Sequence, residues 1–159
     1  MTNESLLTVL VRKLIWQLVK VWIRVSFPTV QPISTKALAK RVAKGERLVL
    51  IDARKVEEYA VSHLPNALQV ESTEAVEHIV LNKQDLIVVY CSIGYRSARL
   101  AQKLVAAEYS AVNLEGSLFQ WANENRPLVC EGHPTNQVHP FSSFWGRLLN
   151  DSVVLRQQS

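Results

Sequence analysis

The sequence predicts an α/β fold, a mostly parallel sheet flanked by helices, preceded by an extra N-terminal amphipathic helix. Three observations carry this expectation. Short runs rich in branched apolar residues, at 48–51, 67–70, 86–90 and 111–114, alternate with stretches whose apolar positions recur at helical spacing. Strands interleaved with helices at this spacing imply parallel pairing with both faces of the sheet covered. The first 27 residues stand apart, being mostly Leu, Val, Ile, Trp and Phe with no Gly or Pro before Pro28.

The N-terminal segment comes first. On a helix over residues 6–27, Lys13, Gln17, Lys20 and Arg24 are spaced 4, 3 and 4, so they stack into one polar stripe. Trp16, Leu18, Val19, Trp22, Ile23 and Val25 cover the rest of the circumference. The longest uncharged run before Arg24 is seven residues, 5–11, far short of the roughly 18 a spanning helix needs. A cleavable leader fits poorly, because the basic residues lie inside the apolar stretch. Such a helix suits a membrane interface, where Lys and Arg snorkel, and it equally suits packing on its own domain or on a partner protein.

Ser34 is a good N-cap for a helix at 35–44 that Gly45 ends. Residues 48–51, followed by Asp52, read as a buried strand, 57–61 as a short helix, 63–66 as a turn and 67–70 as a second strand. Ser72 caps a short helix running to Leu81, and 86–90 (LIVVY) is the strongest strand in the chain. An amphipathic helix at 97–108, a strand at 111–114 and a helix at 118–123 complete the series. The expected organisation is 1–28 as the amphipathic helix, 29–130 as the main domain and 131–159 as a tail. The tail's Phe141, Phe144 and Trp145 are expected to bury the N-terminal helix or a face of the sheet.

Composition narrows the function. A chain of 159 residues that is 48% hydrophobic and 20% charged is not disordered and needs no disulfide or metal to fold. Two cysteines, Cys91 and Cys130, are too few for a disulfide framework and favour a reducing, cytoplasmic compartment. The first helix adds a peripheral place at the inner face of a membrane as an option. A net charge of +4 invites the idea of nucleic acid, but its distribution argues against it. Residues 1–30 hold four basic side chains against Glu4, while the remainder holds 14 basic and 13 acidic ones and no basic run. No nucleic-acid partner is expected.

The chemistry concentrates at Cys91. A buried strand ends in Cys91-Ser92-Ile93-Gly94-Tyr95-Arg96, and a helix follows. The carboxyl ends of parallel strands are where ligands bind. A short loop there turns successive N–H groups inward as an anion nest, and the next helix adds its dipole. A cysteine in such a nest is expected as thiolate near neutral pH. Gly94 supplies backbone angles closed to other residues, and Arg96 supplies a planar cation suited to a sulfur or phosphorus oxyanion. Taken alone, the motif also fits an inert buried cysteine at a strand end.

In wider context the chain resembles the rhodanese-like domain, a sulfurtransferase family. Residues 50–54 (LIDAR), Glu58-Tyr59 and His63-Leu64-Pro65-Asn66-Ala67 resemble its N-terminal signature. The segment from Cys91 to Ser97 resembles its active-site loop, and Leu114-Glu115-Gly116-Ser117 with Trp121 and Pro127 its C-terminal signature. These lie in the family's order across residues 33–129. The resemblance implies a five-stranded parallel sheet, no cofactor and no metal. It implies that Cys91 takes sulfane sulfur from a small sulfur-containing anion such as thiosulfate, forming a persulfide, and passes it to a thiol or cyanide-type acceptor.

By the same resemblance, amides of Ser92, Ile93, Gly94, Tyr95 and Arg96 hold the terminal sulfur, and Arg96 binds the donor anion. Arg54 either assists there or pairs with Asp52 to brace the loop, and His63 is a structural turn residue. Ser62, Asn66 and Ser117 stand where the family usually has glycine, and all three are expected to lie away from the loop. Six residues from Cys91 to Arg96 match sulfurtransferases, whereas related phosphatases carry one residue more. A phosphatase or arsenate reductase is therefore the poorer enzyme reading, and a non-catalytic binding module recruited to a membrane or complex is the alternative from another class. Cys130, just past the last motif, is expected to be incidental.

Overall fold

The parallel sheet forms around three strands built mainly from branched apolar residues that tolerate burial on both faces. A computed structural model describes residues 5–80, 82–150 and 152–153. The strands are β1 (Gln31–Ile33), β2 (Leu48–Asp52), β3 (Leu68–Gln69), β4 (Leu86–Tyr90) and β5 (Ala111–Leu114), in the order β1-β5-β4-β2-β3. Every pairing among them is parallel. Central β4 buries Ile87, Val88, Val89 and Tyr90 completely, as its uniformly apolar sequence requires.

Between the strands run α2 (Thr35–Ala43), α3 (Val56–Val61), α4 (Thr73–Ile79), α5 (Tyr95–Ala106) and α6 (Ser117–Asn123), preceded by α1 (Leu6–Ser26). Ser34 and Ser72 accept hydrogen bonds from Ala37 N–H and Ala75 N–H, as capping serines should. Helix α4 stops at Ile79, short of the expected end at Leu81, which lies outside the described residues.

The sequence reading missed β1, placing it in the linker after the first helix. Its Pro32 is accommodated because β1 is an edge strand with one neighbour, where a missing N–H is tolerated. A second sheet was also missed: β6 (Leu128–Cys130) and β7 (His133–Thr135) form an antiparallel hairpin. Its two-residue turn, Glu131-Gly132, has φ of 49° and 78°, the positive pair that such a tight hairpin requires. Helix α5 begins two residues earlier than expected, because Gly94 at φ 114° reverses the chain and its carbonyl accepts the first helical bond from Ala98 N–H.

Helix α1 lies against the domain. Val19, Ile23 and Phe27 are buried and belong to the same apolar core as β4, α5 and α6. The tail joins this core as well, through Val138, Leu148, Leu149 and Val153, and of the aromatic cluster that the sequence suggested Trp145 alone packs against it, partly buried. Phe141 and Phe144 are exposed, and Trp145 opens a single 3-10 turn (Trp145–Leu148) that buries Leu148. The aliphatic residues of the tail fit the close-packed core, Trp145 covers its edge, and the two phenylalanine rings are left outside. Residues 1–4, 151 and 154–159 of the expected helix and tail segments lie outside the described residues.

Candidate active site

Cys91 follows the last residue of β4 directly, and α5 starts four residues later. The intervening chain wraps around its sulfur: Gly94 N–H donates to Sγ at 3.1 Å. Ser97 Oγ lies 3.4 Å from the sulfur and 2.7 Å from Asn113 Oδ1, so its single proton is shared between them. Cys91 is 1% exposed. A charge developing on this sulfur meets a backbone donor, a hydroxyl and the first turn of a twelve-residue helix, the arrangement that favours an anion.

Neighbouring elements hold the loop's shape. The first N–H groups of α6 reach it from the side, Leu118 N–H to the Cys91 carbonyl and Phe119 N–H to the Ser92 carbonyl, both at 3.0 Å. Asn113 on β5 donates from Nδ2 to the Gly94 carbonyl at 3.1 Å. Ser117 accepts the Cys91 N–H at 3.2 Å and donates to the Leu114 carbonyl at 2.9 Å. Of the three expected departures, Ser117 is therefore not remote from the loop: a hydroxyl stands where the family usually has no side chain, and it supports the amide of Cys91. Its φ of 49° is uncommon for serine, and these two bonds compensate the strain. Asn66 adopts φ 63°, a conformation asparagine tolerates, while Ser62 is extended at −170°, open to any residue.

Two arginine–carboxylate pairs flank the loop. Arg54 and Asp52 are both 0% exposed; Arg54 Nε donates to Asp52 Oδ1 at 2.9 Å and Nη2 to Oδ2 at 2.8 Å. Nη2 also donates to the Ser62 carbonyl at 2.6 Å. Burial alone would lower the Arg54 pKa, but the hydrogen bond and charge of Asp52 outweigh it and the pKa is raised. Arg54 thus lies beneath the surface as a brace between β2 and the turn after α3, with no opening to a substrate. Tyr90 beside it accepts Leu64 N–H at 3.1 Å, and burial pushes its hydroxyl well above 10.

The second pair was not assigned in the sequence. Arg96 donates from Nη1 to Glu58 Oε2 at 2.7 Å and from Nη2 to Oε1 at 2.8 Å, and Nη2 also reaches Ser92 Oγ at 3.0 Å. Burial opposes the charge of Glu58, yet the Arg96 hydrogen bond and charge, with the Lys55 N–H and Arg54, hold its pKa below the ordinary 4.5. The Arg96 pKa is raised: burial lowers it, and Glu58 and the sulfur of Cys91 raise it by more. Phe141 from the tail lies 4.6 Å from the guanidinium as a cation–π partner. The residue expected to bind the donor anion is therefore already paired, and a groove beside it gathers further cations, Lys55, Arg99 and Lys103, with Glu71.

His63 sits at the turn between α3 and β3. Its ring stacks on Tyr59 at 3.7 Å, its Nδ1 is 3.0 Å from the Tyr59 carbonyl, and its backbone pairs with Val129. Cys130 is a free thiol that donates to the Ala60 carbonyl at 3.3 Å. Over the outer side of the loop lies α1: Trp22 stacks on Tyr95 at 4.7 Å, Phe27 meets the same ring edge-on at 5.1 Å, and a Cβ at Gly94 would come within 3.3 Å of Ile23. No local motif pointed to Phe141 or α1 at the site. Glu58 alone carried a signal, by standing in the N-terminal signature.

Comparison with known proteins follows from this geometry. The model of the family described as Rhodanese-like domain matches residues 34–124. The protein YtwF of Bacillus subtilis is 32% identical over 99 residues, covering 62% of this chain and 96% of its own. A sulfurtransferase of Allochromatium vinosum is 31% identical over 107 residues, covering 63% and 95%. Among solved structures, a thiosulfate sulfurtransferase from Pseudomonas aeruginosa superposes with a TM-score of 0.63 at 17% identity, covering 84% of this chain and 26% of that one, a likeness of fold alone.

Proposed function

The chain belongs to the rhodanese-like domain family, and from that premise we propose that it is a sulfurtransferase carrying sulfane sulfur as a persulfide on Cys91. The observation that supports this most directly is the Gly94 N–H aimed at Sγ from 3.1 Å inside a loop that opens α5. With thiosulfate as donor, the Cys91 thiolate attacks the outer sulfur. The new S–S bond forms as the old one breaks, and sulfite leaves with the electron pair. A thiolate or cyanide acceptor then attacks the terminal sulfur and returns Cys91 as thiolate. Loop amides from Ser92 to Arg96 would stabilise the negative terminal sulfur, as preorganised donors do for an oxyanion. Because Glu58 neutralises Arg96, the amides and the groove cations at Lys55, Arg99 and Lys103 are the better placed groups for drawing in the donor.

Residues 29–130 would carry this chemistry, with 1–28 and 131–159 as additions that close over it. Incubation with thiosulfate is expected to add one sulfur atom to the intact protein by mass spectrometry. A Cys91→Ser variant that gains the same mass overturns the assignment. The 1% exposure of Cys91 favours a second reading, a binding module with minor sulfur transfer. Steady thiosulfate:cyanide turnover would exclude that reading, and hydrolysis of an aryl phosphate without persulfide would point instead to phosphatase chemistry.

A further inference from the structure

The inner face of α1 is used by the domain, and its outer face is not. At about 100° per residue, Leu7, Leu10, Leu14, Leu18, Val21 and Val25 fall within an arc of about 80°, opposite Val19 and Ile23. All six are exposed, Leu14 and Leu18 at 60% and 61%. Trp22 borders this arc and is 46% exposed. Six large aliphatic side chains in one unbroken strip on a helix about 30 Å long exceed the scattered apolar residues normal on a soluble surface. Among the described residues, no helix is long and apolar enough to cross a membrane.

Charge decides what covers the strip. Between Leu6 and Ser26 there are four cations, Arg12, Lys13, Lys20 and Arg24, and no acid. Lys13, Gln17, Lys20 and Arg24 run down one flank, with Lys20 and Arg24 steadied by Glu115 of the domain. A second copy seated on the strip would bring two such cationic flanks together. An anionic lipid surface complements them, takes up the aliphatic strip and receives Trp22 at headgroup depth.

We propose that α1 docks this chain flat on an anionic membrane surface through Leu7, Leu10, Leu14, Leu18, Val21 and Val25, with the Lys13–Arg24 flank on the headgroups. Docking in this orientation keeps the inner face of α1 on the domain. Because Trp22 is stacked on Tyr95 at 4.7 Å, it places the Cys91 loop close to the lipid headgroups.

The test is co-sedimentation of the full chain with vesicles of equal parts phosphatidylglycerol and phosphatidylcholine, and of phosphatidylcholine alone. Binding to the anionic vesicles, weakened in high salt and on neutral vesicles, is the expected result. Leu14→Glu with Leu18→Glu should reduce it by about tenfold or more while the circular dichroism spectrum is unchanged. If that variant misfolds, the exposed Lys13→Glu should still reduce anionic binding by about fivefold or more. Absence of binding to anionic vesicles, binding insensitive to both variants, or a dimer that Leu14→Glu dissociates while vesicles go unbound would each overturn the proposal.

Discussion

The pairs Asp52–Arg54 and Glu58–Arg96 are built from the same two chemical groups and are both bidentate, side-on through Nε and Nη2 in the first and end-on through Nη1 and Nη2 in the second, yet their surroundings give them different work. Asp52 and Arg54 are both fully buried, two positions apart in sequence, and face the backbone of the turn after α3 and the buried Tyr90. Glu58 is 2% exposed and Arg96 25%, the two lie 38 positions apart, and they face the Cys91 loop, a cation-rich groove and an aromatic ring. A buried pair without an outlet fixes backbone positions, its desolvation cost offset by the mutual attraction and hydrogen bonds of the two groups. A pair with one partner open to water can both shape a loop and set the charge a substrate meets.

The sharpest way to break this contrast is Arg54→Met. It leaves Asp52 as an uncompensated buried charge and should cost about 3–5 kcal/mol in urea unfolding, with Asp52→Leu in the same chain restoring much of the loss. Glu58→Gln should cost less, about 1–3 kcal/mol, because Arg96 can turn to solvent. Equal losses for the two variants would mean that exposure does not separate the pairs. Glu58→Gln should also lower the KM for thiosulfate by leaving the Arg96 charge unneutralised, a change that Arg54→Met should not produce.

Acid titration sharpens the comparison further. Glu58 has a folded pKa below its ordinary 4.5, so as pH falls the unfolded chain takes up its proton first. Its contribution is complete above that ordinary value and is lost progressively from about pH 5 downward, through the lower folded value. Unfolding free energies measured across this range should fall less steeply in Glu58→Gln than in the parent. The smallest expected effect is Phe141→Ala, about 0.5–1 kcal/mol, from loss of the cation–π contact on Arg96.

Much of this architecture was legible in the residues because it is local. The run at 86–90 followed by Cys91, Gly94 and Arg96 predicts a strand, a tight loop and a helix from backbone preferences and apolar content, and the structure has them in that order. The capping serines Ser34 and Ser72 are legible for the same reason, since a cap acts within its own first turn. Strand β1 was not, because a three-residue edge strand containing proline takes its identity from β5, some eighty positions away. Ser117 reads in the sequence as a remote turn residue, since its link to Cys91 arises only when α6 packs beside β4.

The amphipathic helix divides the two kinds of information most clearly. The sequence by itself determined that residues 6–26 form a helix with a cationic stripe and apolar residues around the rest, a consequence of spacing alone. Only the tertiary structure decided which apolar face turns inward, placing Ile23 and Phe27 on the Cys91 loop and leaving Leu14 and Leu18 outside. Likewise, the presence of Cys91 and Arg96 in one six-residue loop was fixed by the chain, but the partnership of Arg96 with Glu58 and Phe141 was not. Periodicity reports how side chains are arranged around one element. Burial, charge pairing and ring stacking depend on what other elements bring to the same place, and a one-dimensional pattern does not hold that distance.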